Sequence, residues 1–380
     1  NWHRDRYSIK VIDTLNLWRK PLSVLGEVAG LPKLSMPTDW SDRALGDAYC
    51  RRDVEVIRLM CVRWWEWLRD NDMGNAANTL ASQALTSYRH RFMTHPIFLD
   101  SNPQALELAR AGYSGGRTEC FRLGRIPSPA YLLDVRSMYP WVMEAESYPT
   151  QLRLWARRVT VGDLVRWLVE HCLVARVTVA TPEPVYPCRV PGYLLFPVGE
   201  FETVLTTPEL RHALERGRVL RVHECAVYRR APIFREWVRE MYSRRLEYER
   251  AGDLFRREVV KLLLNSLYGK FGQRGWVTDC RAPNPTGAVG SWTEVDAETG
   301  RVYRCRSVGS TVVAEYQEGE SRYSHPAIAA HVTGWGRLRL WELIERAGAP
   351  SVFYCDTDSV LVDDRGRDRL SERVGGEALG

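Results

Sequence analysis

Two aspartates one residue apart, Asp356 and Asp358, stand between the apolar runs Ser351-Val352-Phe353-Tyr354-Cys355 and Ser359-Val360-Leu361-Val362. The pattern predicts a strand, a tight turn and a returning strand, with both carboxylates at the tip. Two ionised carboxylates this close repel each other, and a cation between or beside them relieves the repulsion. Oxygen-only donors suit Mg²⁺ or Mn²⁺, and Mg²⁺ commonly takes one or two carboxylates plus substrate phosphates. An Asx-rich hairpin turn that binds nothing has the same composition, and this stretch alone does not separate the two readings.

Other stretches carry chemistry-bearing residues at telling spacings. Tyr131-Leu132-Leu133-Asp134 reads as a strand ending in a carboxylate, with Tyr139 five residues on. Asp134 suits a metal ligand in a cleft, and equally a helix N-cap. Lys261, Asn265, Tyr268 and Gly269 fall at helical offsets 0, 4, 7 and 8, on one face, with Leu262, Leu263 and Leu267 opposite. The polar stripe is either a solvated helix face or a surface where lysine meets phosphate oxygens and a Tyr–Gly platform accepts a base pair. Tyr49 and Asp53 share a helix face and could orient a water and hold a metal, or form an ordinary surface pair. Tyr113-Ser114-Gly115-Gly116-Arg117 offers a glycine pair where a nucleic-acid phosphate could pass against backbone N–H groups, with Arg117 nearby. It could also be a plain interdomain loop.

The elements that must position these groups follow from periodicity. Ser8–Leu17 reads as a buried strand and turn, Leu22–Leu34 and Ala44–Leu59 as helices, and 61–110 as helical, with Trp64, Trp65, Trp67 and Leu68 packing. Residues 151–229 are strand-rich, with a helix over Thr160–His171. Ile233–Gly269 predicts two antiparallel helices broken near Ala251-Gly252-Asp253. Residues 275–322 predict a β-hairpin excursion, including Arg301–Arg306 and Ser310–Tyr316, and His325–Ala347 an amphipathic helix with Trp335 and Trp341 in the core. The chain has 380 residues, 45% of them hydrophobic, ample for two or three packed domains. No run of about eighteen apolar residues and no secretory signal is present, so an intracellular setting without a membrane is expected. Nine scattered cysteines without a C-x-x-C pair speak against a zinc module and for reduced thiols. A net charge of +6 permits a polyanionic partner without requiring one. Of the 53 basic residues only five are lysines, and two of those are Lys261 and Lys270.

Three of these stretches together resemble the signature of family B DNA polymerases. Asp134-Val135-Arg136-Ser137-Met138-Tyr139-Pro140 matches its motif A, D-x-x-S-x-Y-P. Lys261 to Gly269 matches motif B, K-x-x-x-N-S-x-Y-G, and Tyr354 to Ser359 matches motif C, Y-x-D-T-D-S. Tyr113-Ser114-Gly115-Gly116 matches the Y-x-G-G element between exonuclease and polymerase domains, and Tyr49-x-x-x-Asp53 the third exonuclease motif. Compactness and two insertions make the chain most similar to the protein-primed subgroup of phages, viruses and linear plasmids.

The resemblance implies an α/β (α+β) fold: a palm with an antiparallel sheet, helical-hairpin fingers, and the C-terminal part of a ribonuclease H-like 3′-5′ exonuclease domain. It implies exonuclease at 1–110, palm at 111–145 and 323–380, a terminal-protein-region-like insertion at 146–229, fingers at 230–274 and a β-hairpin insertion at 275–322. The implied reaction is template-directed nucleotidyl transfer from a dNTP to a primer 3′-hydroxyl or a protein-primer hydroxyl. Asp134 and Asp358, with Asp356 beside them, would ligate two Mg²⁺ ions, or Mn²⁺. Val135, Tyr139, Lys261, Asn265, Tyr268 and Gly269 would bind the nucleotide, with Arg245 or Arg250 as a second fingers cation. Tyr113, Gly115, Gly116, Arg117, Tyr354 and Thr357 would contact DNA. Expected partners are primer-template DNA, dNTP and a terminal priming protein; if the protein is viral, its setting is the host cytoplasm.

Departures from the pattern shape the expectation further. No D-x-E motif lies upstream of Tyr49, and Asn1 and Asp5 have the spacing of N-x-x-[FY]-D but Arg4 replaces the aromatic. The sequence stops 22 residues after Asp358, before a K-x-Y element and thumb. A fragment without proofreading and with a weak grip on duplex is therefore expected. Three rivals remain: a reverse transcriptase, opposed by Thr357 between the aspartates and by motif B; a non-catalytic nucleic-acid-binding relic; and an exonuclease alone, opposed by the missing carboxylates.

Overall fold

The structure, a computed structural model, describes residues 2–4, 7–9, 12–283, 289–308, 311–373, 375 and 379–380. Asn1, Asp5 and Ser310 lie outside the described residues.

The chain opens with a two-stranded pair, β1 (Trp2–Arg4) and β2 (Tyr7–Ile9), then α1 (Leu22–Val28), α2 (Arg43–Asp70), α3 (Leu80–Ser87) and α4 (Pro103–Gly112). Helix α2 runs unbroken through residue 60, because Asp42 caps its N-terminus and nothing inside it breaks the hydrogen-bond ladder. Helix α1 stops six residues short of Leu34, where Gly30 at φ 68° reverses the chain. Trp64, Trp67 and Leu68 are buried, whereas Trp65 points to solvent.

Next come β3 (Thr118–Cys120), β4 (Tyr131–Asp134), α5 (Met138–Ala145), β5 (Tyr148–Arg157), α6 (Val161–Leu168), β6 (His171–Thr181), β7 (Cys188–Val190), β8 (Tyr193–Leu195), β9 (Gly199–Thr206), α7 (Thr207–Glu215) and β10 (Val219–Ala231). Thr160 and Asp163 form a capping box that starts α6, which ends before His171 because that residue opens β6. Strands β5, β10, β6 and β9 form one antiparallel sheet in that order, and β7–β8 is a small hairpin beside it.

Helices α8 (Arg235–Arg250) and α9 (Leu254–Phe271) pack antiparallel across a turn in which Gly252 sits at φ 69° and Asp253 caps α9. Strands β11 (Arg274–Pro283), β12 (Ser291–Val295), β13 (Val302–Val308) and β14 (Thr311–Glu320) follow. They form a four-stranded antiparallel sheet in the order β11-β14-β13-β12, where one hairpin was expected. The reason is length: β11 and β14 are ten residues each and pair along their whole course, leaving β12–β13 to extend the sheet.

Helix α10 (Pro326–Ala347) leads to β15 (Val352–Asp356), β16 (Ser359–Val362) and α11 (Asp364–Leu370). Strands β3, β15, β16 and β4 close a third four-stranded antiparallel sheet in that order. Helix α10 is buried nearly all round rather than amphipathic, as a helix in the centre of a structure must be. It touches α4, α5, α7, α9, α11, β5 and β16. A side chain on Gly334 would overlap the Thr206 hydroxyl, and one on Gly336 would press on the Tyr139 ring, so its small residues permit this crowding.

One apolar core joins α2 and α3 (Met60, Trp64, Trp67, Ala84) to α8 and α9 (Trp237, Val259, Leu263, Leu267) and to Ile328 and Val332 of α10. The polar stripe of α9 is thus held in place from behind by the N-terminal helices. Among the described residues no helix is long and apolar enough to cross a membrane. Truncating Leu263 to Ala should cost about 2–5 kcal/mol. Urea unfolding followed by tryptophan fluorescence should remain a single transition, since Trp64, Trp67 and Trp237 report on the same core.

Candidate active site

Backbone pairing brings the first two carboxylates together. Asp356 pairs with Ser359 across the β15–β16 hairpin, so Thr357 and Asp358 alone make the turn. Ser359 in turn pairs with Asp134 at the end of β4, and the Val135 N–H donates to the Asp358 carbonyl at 2.8 Å. Thr357 takes φ 56°, an uncommon and strained value for a β-branched residue. It is held there by its N–H on the Arg117 carbonyl (2.7 Å) and by its hydroxyl on Asp356 Oδ1 (3.0 Å).

The Asp134 carboxyl is raised above the ordinary range by burial, which the charge of Lys261 partly offsets. Asp358 is raised by burial, by Asp134 and by Asp356. A hard cation relieves both effects, so the pair fits one. Asp356 stands apart: it is exposed, and its Oδ1 accepts from Thr118 (2.9 Å) and Thr357. Among the described residues no three His, Cys, Asp or Glu side chains converge on a metal-sized spot. The donor set is two carboxylates, as expected of a cation that completes its shell with substrate oxygens and water.

A cavity of about 710 Å³ opens in front of this pair. Asp134, Asp358, Tyr139, Lys261, Asn265, Tyr268 and Arg245 all line it. The α9 stripe therefore faces the two carboxylates, with Leu263, Leu264 and Leu267 buried behind. Tyr139 and Tyr268 pack ring to ring, centroids 4.7 Å apart, and burial raises both hydroxyls. Gly269 is exposed, and a Cβ there would meet nothing within 4 Å, leaving room beside the tyrosines. Arg245 Nη1 donates to the Ser137 hydroxyl at 2.7 Å, and Ser137 holds φ 58° to turn β4 into α5.

Arg250 is a correction. It is the last residue of α8, exposed, and does not line the cavity, because the break at 251–253 cancels the eleven-residue spacing to Lys261. Arg117 is another. It is 1% exposed, paired with Glu119 (Nε to Oε2, 2.7 Å), bonded to the Pro184 carbonyl (2.7 Å) and packed over Phe196. It therefore anchors β3 and cannot meet a surface phosphate. Gly116 is explained by close approach: a Cβ there would come within 2.8 Å of the Thr357 hydroxyl. Gly115 is exposed, the Tyr113 ring covers buried Gly272, and Tyr354 lies on β15 two residues before Asp356.

Several functional neighbours escaped sequence reasoning. Arg337 donates to the Ser114 and Gly115 carbonyls (2.7 and 2.8 Å) and pairs with Glu209 at 2.6 Å, fully buried. An arginine within a helix of Ala and Gly was the available signal. Glu249 lines the cavity, and a glutamate on an exposed helix gives no signal. Lys33 gathers the Tyr49–Asp53 pair of α2: its Nζ lies 2.5 Å from Asp53 and 4.0 Å from the Tyr49 ring centroid. Burial opposes the charge of Lys33, but hydrogen bonds to Asp53 and Tyr49 prevail and raise its pKa. No spacing in the sequence relates this lysine to Tyr49 or Asp53.

Comparison with known proteins gives a consistent picture. A sequence model of the family described as DNA polymerase type B, organellar and viral, matches residues 44–279. A DNA-directed DNA polymerase of Enterobacteria phage PRD1 is 27% identical over 269 residues, which are 68% of this chain and 44% of that one. A probable DNA polymerase of Neurospora intermedia is 22% identical over 86% of this chain and 34% of that one. The structure of phi29 DNA polymerase complexed with primer-template DNA superposes with a TM-score of 0.67, at 16% identity, over 97% of this chain and 63% of that one. The chain thus spans less than half the length of these curated relatives.

The raised Asp358 carboxyl has a measurable consequence. A carboxyl with a folded pKa above its unfolded value favours folding when protonated, so that contribution is present at acid pH and lost as pH rises through the folded value. At neutral pH and without divalent cation, Asp358→Asn should therefore raise the Tm by about 1–3 °C. Added Mn²⁺ should raise the Tm of the wild type and leave that of the variant nearly unmoved.

Proposed function

The chain belongs to the organellar and viral type B DNA polymerases, and from that premise we propose that it catalyses template-directed transfer of a nucleotide from a dNTP to a primer hydroxyl. The observation that carries the proposal is the convergence of Asp134, Asp358, Lys261, Asn265, Tyr139 and Tyr268 on one cavity. The phi29 polymerase with the similar fold was captured with primer-template DNA and incoming nucleotide, and the same partners suit this cavity.

Each side chain has a task that its position supports. Lys261 places a positive charge opposite Asp134 and Asp358, where a triphosphate would accumulate negative charge in the transition state. Arg245, resting on Ser137, is the second cation of the same wall. Tyr139, packed on Tyr268, forms the floor beneath the incoming sugar and leaves no room for a 2′-hydroxyl. Asn265 and Gly269 flank the nascent base pair. Val135 does not line the cavity: its backbone N–H is taken up by the Asp358 carbonyl, so it serves by fixing the Asp358 turn rather than by meeting the triphosphate. Asp134 and Asp358 would hold a divalent cation such as Mg²⁺ or Mn²⁺, or two of them, which would supply activation of the primer hydroxyl and neutralisation of the leaving pyrophosphate. Asp356 stabilises the turn through Thr118 and Thr357 and stands one residue from that shell.

The domain assignment follows the same lines. Residues 1–110 take the place of an exonuclease domain, in which Tyr49, Asp53 and Lys33 gather as a candidate second site. The sheets at 146–229 and 275–322 are the two insertions of the protein-primed subgroup, so a terminal priming protein is a candidate partner and a protein hydroxyl a candidate primer.

Extension of a labelled primed template in Mg²⁺ tests the proposal. The chain should extend, and Asp358→Ala should not. Lys261→Ala should lose about 10²-fold in kcat/KM. Tyr139→Ala should accept ribonucleotides about 10²-fold better relative to the wild type. Template binding without extension by the chain would favour a nucleic-acid-binding relic instead.

A further inference from the structure

Helix α9 carries Lys261, Asn265 and Tyr268, yet its lower end is tied to elements that touch no part of the cavity. Its last carbonyls are claimed one by one. The Phe271 carbonyl accepts from the His325 N–H (2.8 Å) and the Ser324 hydroxyl (3.1 Å). The Gly272 carbonyl accepts from Arg110 Nη1 (2.5 Å), and that of Gln273 from Arg110 Nη2 (3.3 Å). A guanidinium here both fills orphan acceptors and opposes the negative end of the helix dipole.

Arg110 belongs to α4 and reaches further still. Its Nε donates to Glu320 Oε1 at 2.7 Å, and its Nη2 pairs with Glu320 Oε2 and reaches the Ser324 hydroxyl at 2.9 Å. Glu320 ends β14, and Arg274, its register partner, opens β11. The neck of the 274–320 sheet therefore closes on the same guanidinium. Burial opposes ionisation of Glu320, but Arg110 and Ser324 outweigh it and hold the carboxyl low. Gly272 completes the joint: it is buried, and a Cβ would run into the Tyr113 ring.

We propose that Arg110, clasping Glu320 and the carbonyls that end α9, is the pivot from which α9 presents its polar stripe to the nucleotide cavity. It is a positioning residue, since it does not line that cavity. Lys261 stands eleven residues from Gly272, about 16 Å up the helix. A swing of about 10° at the pivot would then move its ammonium by about 3 Å, enough to misplace it. The inference rests on the reading of the cavity as a nucleotide site.

The test compares wild type, Arg110→Ala and Arg110→Lys by steady-state extension with varied dNTP and by hydrogen exchange of the α9 amides. Arg110→Ala should lower kcat/KM for dNTP about tenfold or more, with kcat at saturating dNTP falling as well, because a displaced Lys261 no longer faces the charge that develops in the transition state. Its exchange should quicken over 264–273, and the lysine variant, keeping the charge without the fork, should fall between. Unchanged exchange over 264–273, or an unchanged kcat/KM, would overturn the pivot. If wild type extends no primer, the polymerase reading fails separately, and exchange alone decides whether Arg110 pins α9. Should Arg110→Ala not fold, the lysine variant gives the same two readouts.

Discussion

Everything around the cavity depends on forcing Asp134 and Asp358 together. Register does this: β16 pairs with β4, so the residue before Ser359 and the residue opposite it end on the same rim. Burial pushes both carboxyls upward, and the charges of Asp134 and Asp356 add to the rise at Asp358, which costs stability in the isolated chain. A cation drawn there would relieve both, and the facing Lys261 suits an anion that comes with it. Strained Thr357, spared a clash by Gly116 and tied to the Arg117 carbonyl, is the cost of that geometry.

The second requirement is a rigid wall opposite the carboxylates. Helix α9 meets it by burying Val259, Leu263 and Leu267 against helices from the first hundred residues and against α10. The N-terminal helices thus serve the cavity without touching it. Helix α10 acts in the same indirect way: Arg337, neutralised by Glu209 from α7, holds the Ser114–Gly115 backbone, which in turn carries Gly116 to the hairpin. A buried pair of this kind has little net worth as a stabiliser but would be damaging to break on one side.

How much of this was legible in the sequence depended on whether the signal was local. Asp134, Asp358, Lys261, Asn265 and Tyr268 sit in elements whose periodicity is plain, and they meet in one cavity. The strand–turn–strand at 352–362 and the helix pair broken at 251–253 follow from local pattern as well. Arg117 was misjudged because nothing in its own stretch shows that Glu119, Pro184 and Phe196 would enclose it. Arg250 was misjudged because a helical offset was carried across a turn. The 274–320 sheet was taken for a hairpin because its polar, half-exposed strands alternate weakly, so their length did not show. Lys33, Arg337 and Arg110 act through partners 20, 128 and 210 residues away in sequence, a separation that no local pattern encodes.

The most direct test of the account is Mn²⁺ binding followed by electron paramagnetic resonance, with and without dNTP, on the wild type and on Asp134→Asn and Asp358→Asn. The account predicts bound Mn²⁺ in the wild type, tightened by dNTP, and its loss in both variants. Equal binding by all three would place the cation elsewhere and contradict the assignment of the cavity.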